Sequence, residues 1–295
     1  MTSRHILDRL TSAVVRTLAF AVVLFALALA VGLYVKSRPV LYTHSLMQLL
    51  CTSAWRPRQG EFGFLPFIAG SIAVTSVAMI IAVPLSLLSA VYLAEYAPTR
   101  VRESLKPIID LLAALPSVIF GIWGVVAIVP VVKQLGQWCG RPTTGYTVLA
   151  AGLVLAVMVL PLIISVTMDV LTAVPREARE AGLALGATRW ETTRHIVLKC
   201  AAPGIVAAII LAVSRAWGET MAVLMVAGNV TRLPRSLFDP AYPLPALIAN
   251  NYGEMMSIPR YDAALMFAAL LLLVLVTVFN LGAQLLLFRV SRRWQ

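Results

Sequence analysis

Six uninterrupted apolar runs, near residues 17–35, 65–93, 107–131, 146–168, 204–228 and 262–288, constrain this chain more than any other feature. Each is long enough to cross a hydrocarbon layer of about 30 Å as a helix of roughly 20 residues. The 295 residues are 60% hydrophobic and 13% charged, and a water-soluble fold could not hide that much apolar surface. The runs are continuous, whereas lipid-facing barrel strands alternate polar and apolar residues over about ten positions. The expected fold class is therefore an all-α membrane protein, a polytopic bundle of about six transmembrane helices.

The net charge of +11 is distributed between the runs, which reads as membrane topology and not as a nucleic-acid surface. With six spans both termini lie on one side. That side holds Arg4, Arg9, Arg16, Arg100, Arg102, Lys106, Arg176, Arg179, Arg189, Arg194, Lys199, Arg289, Arg292 and Arg293. The other side holds Lys36, Arg38, Arg56, Arg58, Lys133, Arg141, Arg232, Arg235 and Arg260, and Arg215 alone lies inside a run. The larger group marks the cytoplasm, so both termini are expected there. Thr17 to Val35 is uncharged over more residues than a signal-peptide core of roughly 7 to 15, and it is expected to stay as the first span. Residues 1–64 form a tail, the first span and an external loop. Residues 65–288 form a five-span core, and residues 289–295 a basic cytoplasmic tail. Cys51, Cys139 and Cys200 lack the spacing of a metal or redox motif and receive no role.

Pro84, Pro116 and Pro161 fall inside runs, where each removes a backbone hydrogen bond and bends its helix. Ordinary bundle packing is the reading preferred over a moving hinge. The proline-rich segment 230–261 contains a helix-like stretch from Ala246 to Met256 that is too short to span, and it is expected to cap the outer face.

The loop between the fourth and fifth runs, residues 174–200, carries signals for two short helices. Pro175 suits a first helical position, and Glu177 and Glu180 sit near the positive end of the dipole. Gly186 can end that helix in a left-handed conformation, and Thr188 followed by Glu191 fits a capping box for a second one. The bland alternative is a connector. Glu180-Ala181-Gly182, then Gly186, then Ile196 and Leu198, resembles the EAA loop of ABC importer permeases. In that family this loop is the coupling helix that docks into a cleft on the ATP-binding subunit. The resemblance implies that Glu180, Ala181, Gly182, Gly186, Ala187, Thr188, Arg189 and Trp190 form the coupling surface. Two positions depart from the pattern: Gly182 replaces the second alanine, and Lys199 stands where many members have proline. Lys199 can instead cap the end of the second helix.

In the fifth run, Arg215 lies eleven residues past Gly204, about 16 Å along a helix and near mid-bilayer. Glu219 follows four residues later, on the same helical face. Buried charges of this kind pair, face the bundle interior or line a polar path. A guanidinium fork suits an oxyanion. A neighbouring carboxylate repels sulfate but accepts a hydrogen bond from phosphate, which keeps a dissociable proton near neutral pH. The alternative is an ion pair that holds helices together. The stretch Arg215-Ala216-Trp217-Gly218-Glu219-Thr220-Met221-Ala222-Val223, ending in Gly228-Asn229, resembles the fifth span of PstC-type permeases of phosphate-specific ABC importers. So do Leu93 to Pro98 with Arg100, Leu115-Pro116-Ser117-Val118 with Gly121, and Phe238-Asp239-Pro240 before Leu244 to Ile248.

What the resemblance implies is a type I importer permease in the bacterial inner membrane, with substrate passing Arg215, Glu219 and Thr220. Its implied partners are a homologous second permease, two copies of an ATP-binding subunit, an extracytoplasmic phosphate-binding protein, inorganic phosphate and the lipid bilayer. ATP closing the ATPase dimer would draw the coupling helices together and turn the pathway outward. The sequence contains no G-x-x-x-x-G-K-[ST] loop and no H-E-x-x-H motif, so the chain is expected to be no enzyme, with ATP and magnesium held on the partner subunit. The competing readings are a permease for sulfate or molybdate, the sister phosphate permease, an assembly subunit without a pathway, and a membrane-embedded enzyme using Arg215 and Glu219.

Overall fold

The computed structural model describes residues 2–254, 258 and 260–293. Six helical stretches in it are long and apolar enough to cross a membrane: Thr11–Thr43, Leu65–Tyr96, Ser117–Trp138, Val148–Thr172, Arg189–Gly218 and Tyr261–Arg289. The helices, in chain order, are α1 (Thr2–Thr43), α2 (Leu46–Cys51), α3 (Leu65–Val91), α4 (Thr99–Ala114), α5 (Ser117–Trp123), α6 (Val129–Trp138), α7 (Val148–Thr172), α8 (Arg176–Ala184), α9 (Arg189–Thr192), α10 (Leu198–Gly218), α11 (Met221–Val226), α12 (Leu244–Asn251) and α13 (Tyr261–Arg293). Single π turns at Tyr92–Tyr96, Gly124–Ile128 and Thr193–Val197 continue α3, join α5 to α6 and join α9 to α10.

The spans differ sharply in how they pack. The apolar window of α7 is 67% buried, against 0% for that of α1, so α7 is the axis and α1 lies at the periphery, against α13. Small residues let the neighbours close on α7. A Cβ on Gly152 would sit 2.4 Å from Val77 of α3, and one on Gly204 of α10 would sit 2.4 Å from Val170. Such small-residue contacts are how helices approach where no hydrophobic force drives them together. At the start of α7, Thr147 Oγ1 accepts from the Ala150 N–H at 3.1 Å. The Val148 and Leu149 N–H groups donate to the carbonyls of Asp239 and Leu237, both at 2.9 Å, so the proline-rich loop caps the central span.

Two expectations about the spans are corrected. The run 107–131 is not one helix: residues up to Ala114 belong to the amphipathic α4, and the span begins at Ser117. Leu115 (φ −62°, ψ 140°) and Pro116 (φ −58°, ψ 137°) are extended, because a residue before proline is pushed out of the helical region. Pro84 and Pro161 do remain inside α3 and α7. The run 204–228 is also broken. Its helix ends at Gly218, and its N-terminal end reaches back through the π turn to Arg189.

The segment 230–261 is more than a cap. Ala241 to Leu247 are buried, and α12 packs against α3 and α13. Ser71 Oγ accepts from the Leu244 N–H at 2.9 Å, and the Tyr242 hydroxyl accepts from Asn250 and Asn251 at 3.0 and 2.7 Å. The helix stops at Asn251, whereas Met255, Met256 and Pro259 lie outside the described residues. The N-terminal region is also tied down: strands β1 (Trp55–Arg56) and β2 (Glu61–Phe62) form a hairpin, and Trp55 meets Phe67 edge to face at 4.8 Å. At the other terminus α13 carries residues 289–293 as helix, and residues 294–295 are outside the described set.

Candidate functional site: a two-helix knuckle and a broken span

The knuckle follows its local chemistry. Pro175 (φ −56°) precedes α8, whose first turn carries Glu177. Gly186 adopts φ +84°, a conformation open to glycine at little cost, and it turns the chain out of α8. At the next helix the Glu191 N–H donates to Thr188 Oγ1 at 3.2 Å, while Glu191 Oε2 accepts from the Thr188 N–H at 2.8 Å, completing the capping box. Glu180, Ala181, Gly186, Thr188, Arg189 and Trp190 are exposed, Ala187 is half-buried and Gly182 is buried. A Cβ on Gly182 would lie 2.6 Å from Ile196 Cδ1 and 3.0 Å from Thr192 Oγ1, so its bare Cα is where the two arms of the knuckle touch.

Two features of the knuckle differ from expectation. The second arm does not end at Lys199, which lies within one continuous helix, so Lys199 caps no helix end there. The tip carries an apolar side chain: Leu185 is 89% exposed, with Trp190 at 53%. A leucine beside the turn glycine is a mark of this tip that the sequence does show.

Arg215 and Glu219 are not brought together. Arg215 occupies the last turn of α10, and its Nη2 donates to the carbonyl of Ala113 at 3.3 Å. That carbonyl belongs to the last turn of α4, where helix geometry leaves acceptors without partners. Glu219 is extended (φ −71°, ψ 124°), so it is off the face that carries Arg215. Its Oε1 instead accepts from the Ala222 N–H at 3.2 Å, capping α11, and Thr220 Oγ1 donates to the Gly218 carbonyl at 3.3 Å. Glycine is a weak helix former, and a carboxylate supplies the acceptor a new helix start needs, so Gly218-Glu219 breaks the span. Within the membrane such a break persists because its freed groups find partners.

Glu219 borders a cavity of about 10 Å³ that also touches Ser71, Thr75, Trp217, Pro243 and Pro245. That volume holds one water molecule and no oxyanion. At the end of the bundle remote from the knuckle, a cavity of about 780 Å³ is lined by Thr231, Arg232, Arg235 and Asp239. Asp239 is spoken for, since its Oδ2 accepts from the N–H groups of Arg235 and Ser236, both at 2.9 Å.

Two residues to which the sequence assigned no role of their own meet beneath the knuckle, although Glu95 lies in one of the blocks that carry the resemblance. Arg179 of α8 donates from Nη2 to Glu95 Oε1 at 2.8 Å and from Nε to Glu95 Oε2 at 3.3 Å. Farther up, Lys106 of α4 pairs with Asp169 of α7 at 2.5 Å, and Ser165 donates to Asp110 at 2.6 Å.

A two-helix knuckle with an exposed leucine at its tip, mounted on six spans with a charged break in one of them, is the arrangement of a transport permease subunit. The chain belongs to the family described as binding-protein-dependent transport system inner membrane component, which matches residues 82–292. It is therefore a multi-pass inner-membrane protein. It is 40% identical over 212 residues to the probable ABC transporter permease protein YqgH of Bacillus subtilis, covering 71% of this chain and 67% of that one. It is 37% identical to the phosphate transport system permease protein PstC of Xylella fastidiosa strain 9a5c, covering 82% and 79% of the two chains. The PstC of Pasteurella multocida is 35% identical over 99% of this chain and 95% of its own. Among solved structures, the inward-facing MetNI methionine ABC transporter has a TM-score of 0.58 at 22% identity, covering 75% and 93%. A bacterial ABC transporter for alginate has a TM-score of 0.57 at 18% identity, covering 77% and 79%. These confirm the fold as that of type I ABC importer permeases.

Proposed function

We propose that this chain is the PstC-type half of the translocation pathway of an ATP-driven importer of inorganic phosphate. The observation that carries the reading is the similarity to PstC permeases over nearly the whole chain, the fifth span included. The knuckle end faces the cytoplasm, as the distribution of basic residues favours. There Glu180, Ala181, Gly182 and Gly186 to Trp190 meet one of two copies of an ATP-binding subunit, which holds ATP and magnesium. A homologous second permease completes the pathway, and an extracytoplasmic phosphate-binding protein delivers cargo to the opposite end, where Arg232 and Arg235 line the open cavity.

Arg215, Glu219 and Thr220 are the pathway residues of this reading. The separation of Arg215 from Glu219 supports it over the alternative of an ion pair that holds helices together, since the two charges do not neutralise each other. The guanidinium, held by one carbonyl, is placed to meet an oxyanion, and the Glu219 carboxylate can accept a hydrogen bond from protonated phosphate while repelling sulfate. The coupling reading is tested by co-purification: the intact chain should bring down the ATP-binding subunit. Arg215→Ala should do so equally well while phosphate uptake by the complex is lost. Uptake that survives Arg215→Ala in an assembled complex contradicts the pathway assignment.

A further inference from the structure

The bidentate pair beneath the knuckle has an unusual setting. Arg179 and Glu95 side chains are 21% and 11% exposed, whereas those of Lys106 and Asp169 are 44% and 58% exposed. Besides Glu95, the Arg179 guanidinium donates from Nη1 to the Val174 carbonyl at 2.5 Å and from Nη2 to the Leu171 carbonyl at 2.7 Å. These carbonyls lie at and just beyond the C-terminal turn of α7, where acceptors lack helical partners. Glu95 sits in the π turn that ends the second span, where the Ala97 N–H reaches back to the Tyr92 carbonyl at 2.8 Å. One side chain of α8 is thereby bonded to the ends of two different spans.

Few other contacts fasten α8. Gly182 is its one buried residue, and it touches Thr192 and Ile196 of the knuckle's own second arm. Ala178 packs against the apolar cluster of Leu93, Leu171 and Val174. A guanidinium fork fixed by four hydrogen bonds keeps its orientation, whereas a lysine ammonium in its place would be a single point charge on a flexible stem. The two spans it joins are α3 and α7, whose close packing at Gly152 and Val77 runs through the centre of the bundle.

We propose that Arg179 and Glu95 form the joint through which movement of the knuckle is delivered to α3 and α7. Both are positioning residues that touch neither cargo nor nucleotide. The proposal rests on the reading of the chain as a phosphate-importer permease driven through its knuckle. Without the joint, α8 can be displaced by the ATP-binding subunit while the spans stay where they are, so ATP is spent without transport.

The test uses the complete importer in lipid vesicles, with inorganic phosphate as cargo. R179K, E95Q and the double variant are compared with the unaltered complex, measuring phosphate uptake and ATP hydrolysis on the same vesicles. The joint predicts that each single variant keeps the bound ATP-binding subunit and hydrolyses ATP. Phosphate moved per ATP should fall about tenfold, as for loss of a charge-assisted contact. The double variant should be no worse than the worse single one, because both changes break one interaction. An unchanged ratio of phosphate to ATP in both single variants overturns the proposal, even if thermal stability drops. So do additive losses in the double variant, and so does failure of both single variants to assemble, which would make the pair a folding staple. If the unaltered complex moves no phosphate on ATP, the reading of function has failed and the joint falls with it. That control is scored before any variant.

Discussion

At Gly182 the two arms of the knuckle come close enough that the size of the side chain is limited. An added Cβ meets the mobile Cδ1 of Ile196 first, and Thr192 Oγ1 stands at 3.0 Å. Gly182→Ala, which restores the residue of the EAA pattern, should leave binding of the ATP-binding subunit within about twofold, since a swinging methyl yields at little cost. Gly182→Val adds branches that neither neighbour can clear, at about 1–3 kcal/mol, and should weaken co-purification measurably. Equal behaviour of the two variants would contradict the contact. Glu219 permits a similar separation of roles. Glu219→Gln keeps an oxygen for the Ala222 N–H, so the complex should assemble normally while phosphate uptake falls. Glu219→Ala also removes the cap on α11 and should reduce the amount of assembled complex, by about 1 kcal/mol of stability. Normal uptake in Glu219→Gln contradicts a role for the charge. The capping box at Thr188 and Glu191 was legible in the sequence because its groups lie three residues apart and obey local rules. The Arg179–Glu95 pair joins residues 84 apart, and no local rule brings them together.

Elements were legible where the bilayer alone dictates them. A span must be long and apolar, so six runs became six spans, and the turn at Gly186 announced itself through its neighbours. The breaks were harder to see, because apolarity continues through them. Pro107 to Leu115 looks like the start of a span, yet Pro116 ends α4, and the polar Lys106 and Asp110 of α4 bind α7 instead. In the fifth span, helical spacing placed Arg215 and Glu219 on one face, but Gly218 and a carboxylate acceptor outweighed the apolar run. Pro84 and Pro161 stay within α3 and α7, which pack closely on each other. The α4–α7 attachment has a pH signature. The hydrogen bond to Asp169 raises the pKa of Lys106 above 10.5, so the contribution of the pair is fully present below that value and is lost as pH rises through the higher folded-state pKa. The difference in thermal midpoint between the unaltered chain and Lys106→Met should therefore be flat through neutral pH and shrink above 10.5. Both side chains are well exposed, so the pair is worth less than about 1 kcal/mol. A difference that grows in alkali would contradict the assignment.

At the scale of the whole molecule, three apolar clusters divide the work. One surrounds α7, one gathers the aromatic side chains of Trp55, Phe64, Phe67 and Tyr242 at the far end, and one lies under the knuckle. The middle cluster lies between the other two, and α1 leaves its apolar surface outside all three. Membrane thickness sets the length of each span, so the six could be counted from the sequence without a structure. Which spans touch depends on small residues such as Gly152 and Gly204 finding partners far along the chain, which no periodicity reports. The central claim is that this bundle passes phosphate under ATP, and one measurement tests it most directly: uptake of labelled phosphate by the reconstituted importer, with and without excess sulfate. ATP-dependent uptake that excess sulfate leaves unchanged is the predicted result. Sulfate competing as effectively as unlabelled phosphate, or uptake that proceeds without ATP, would contradict it.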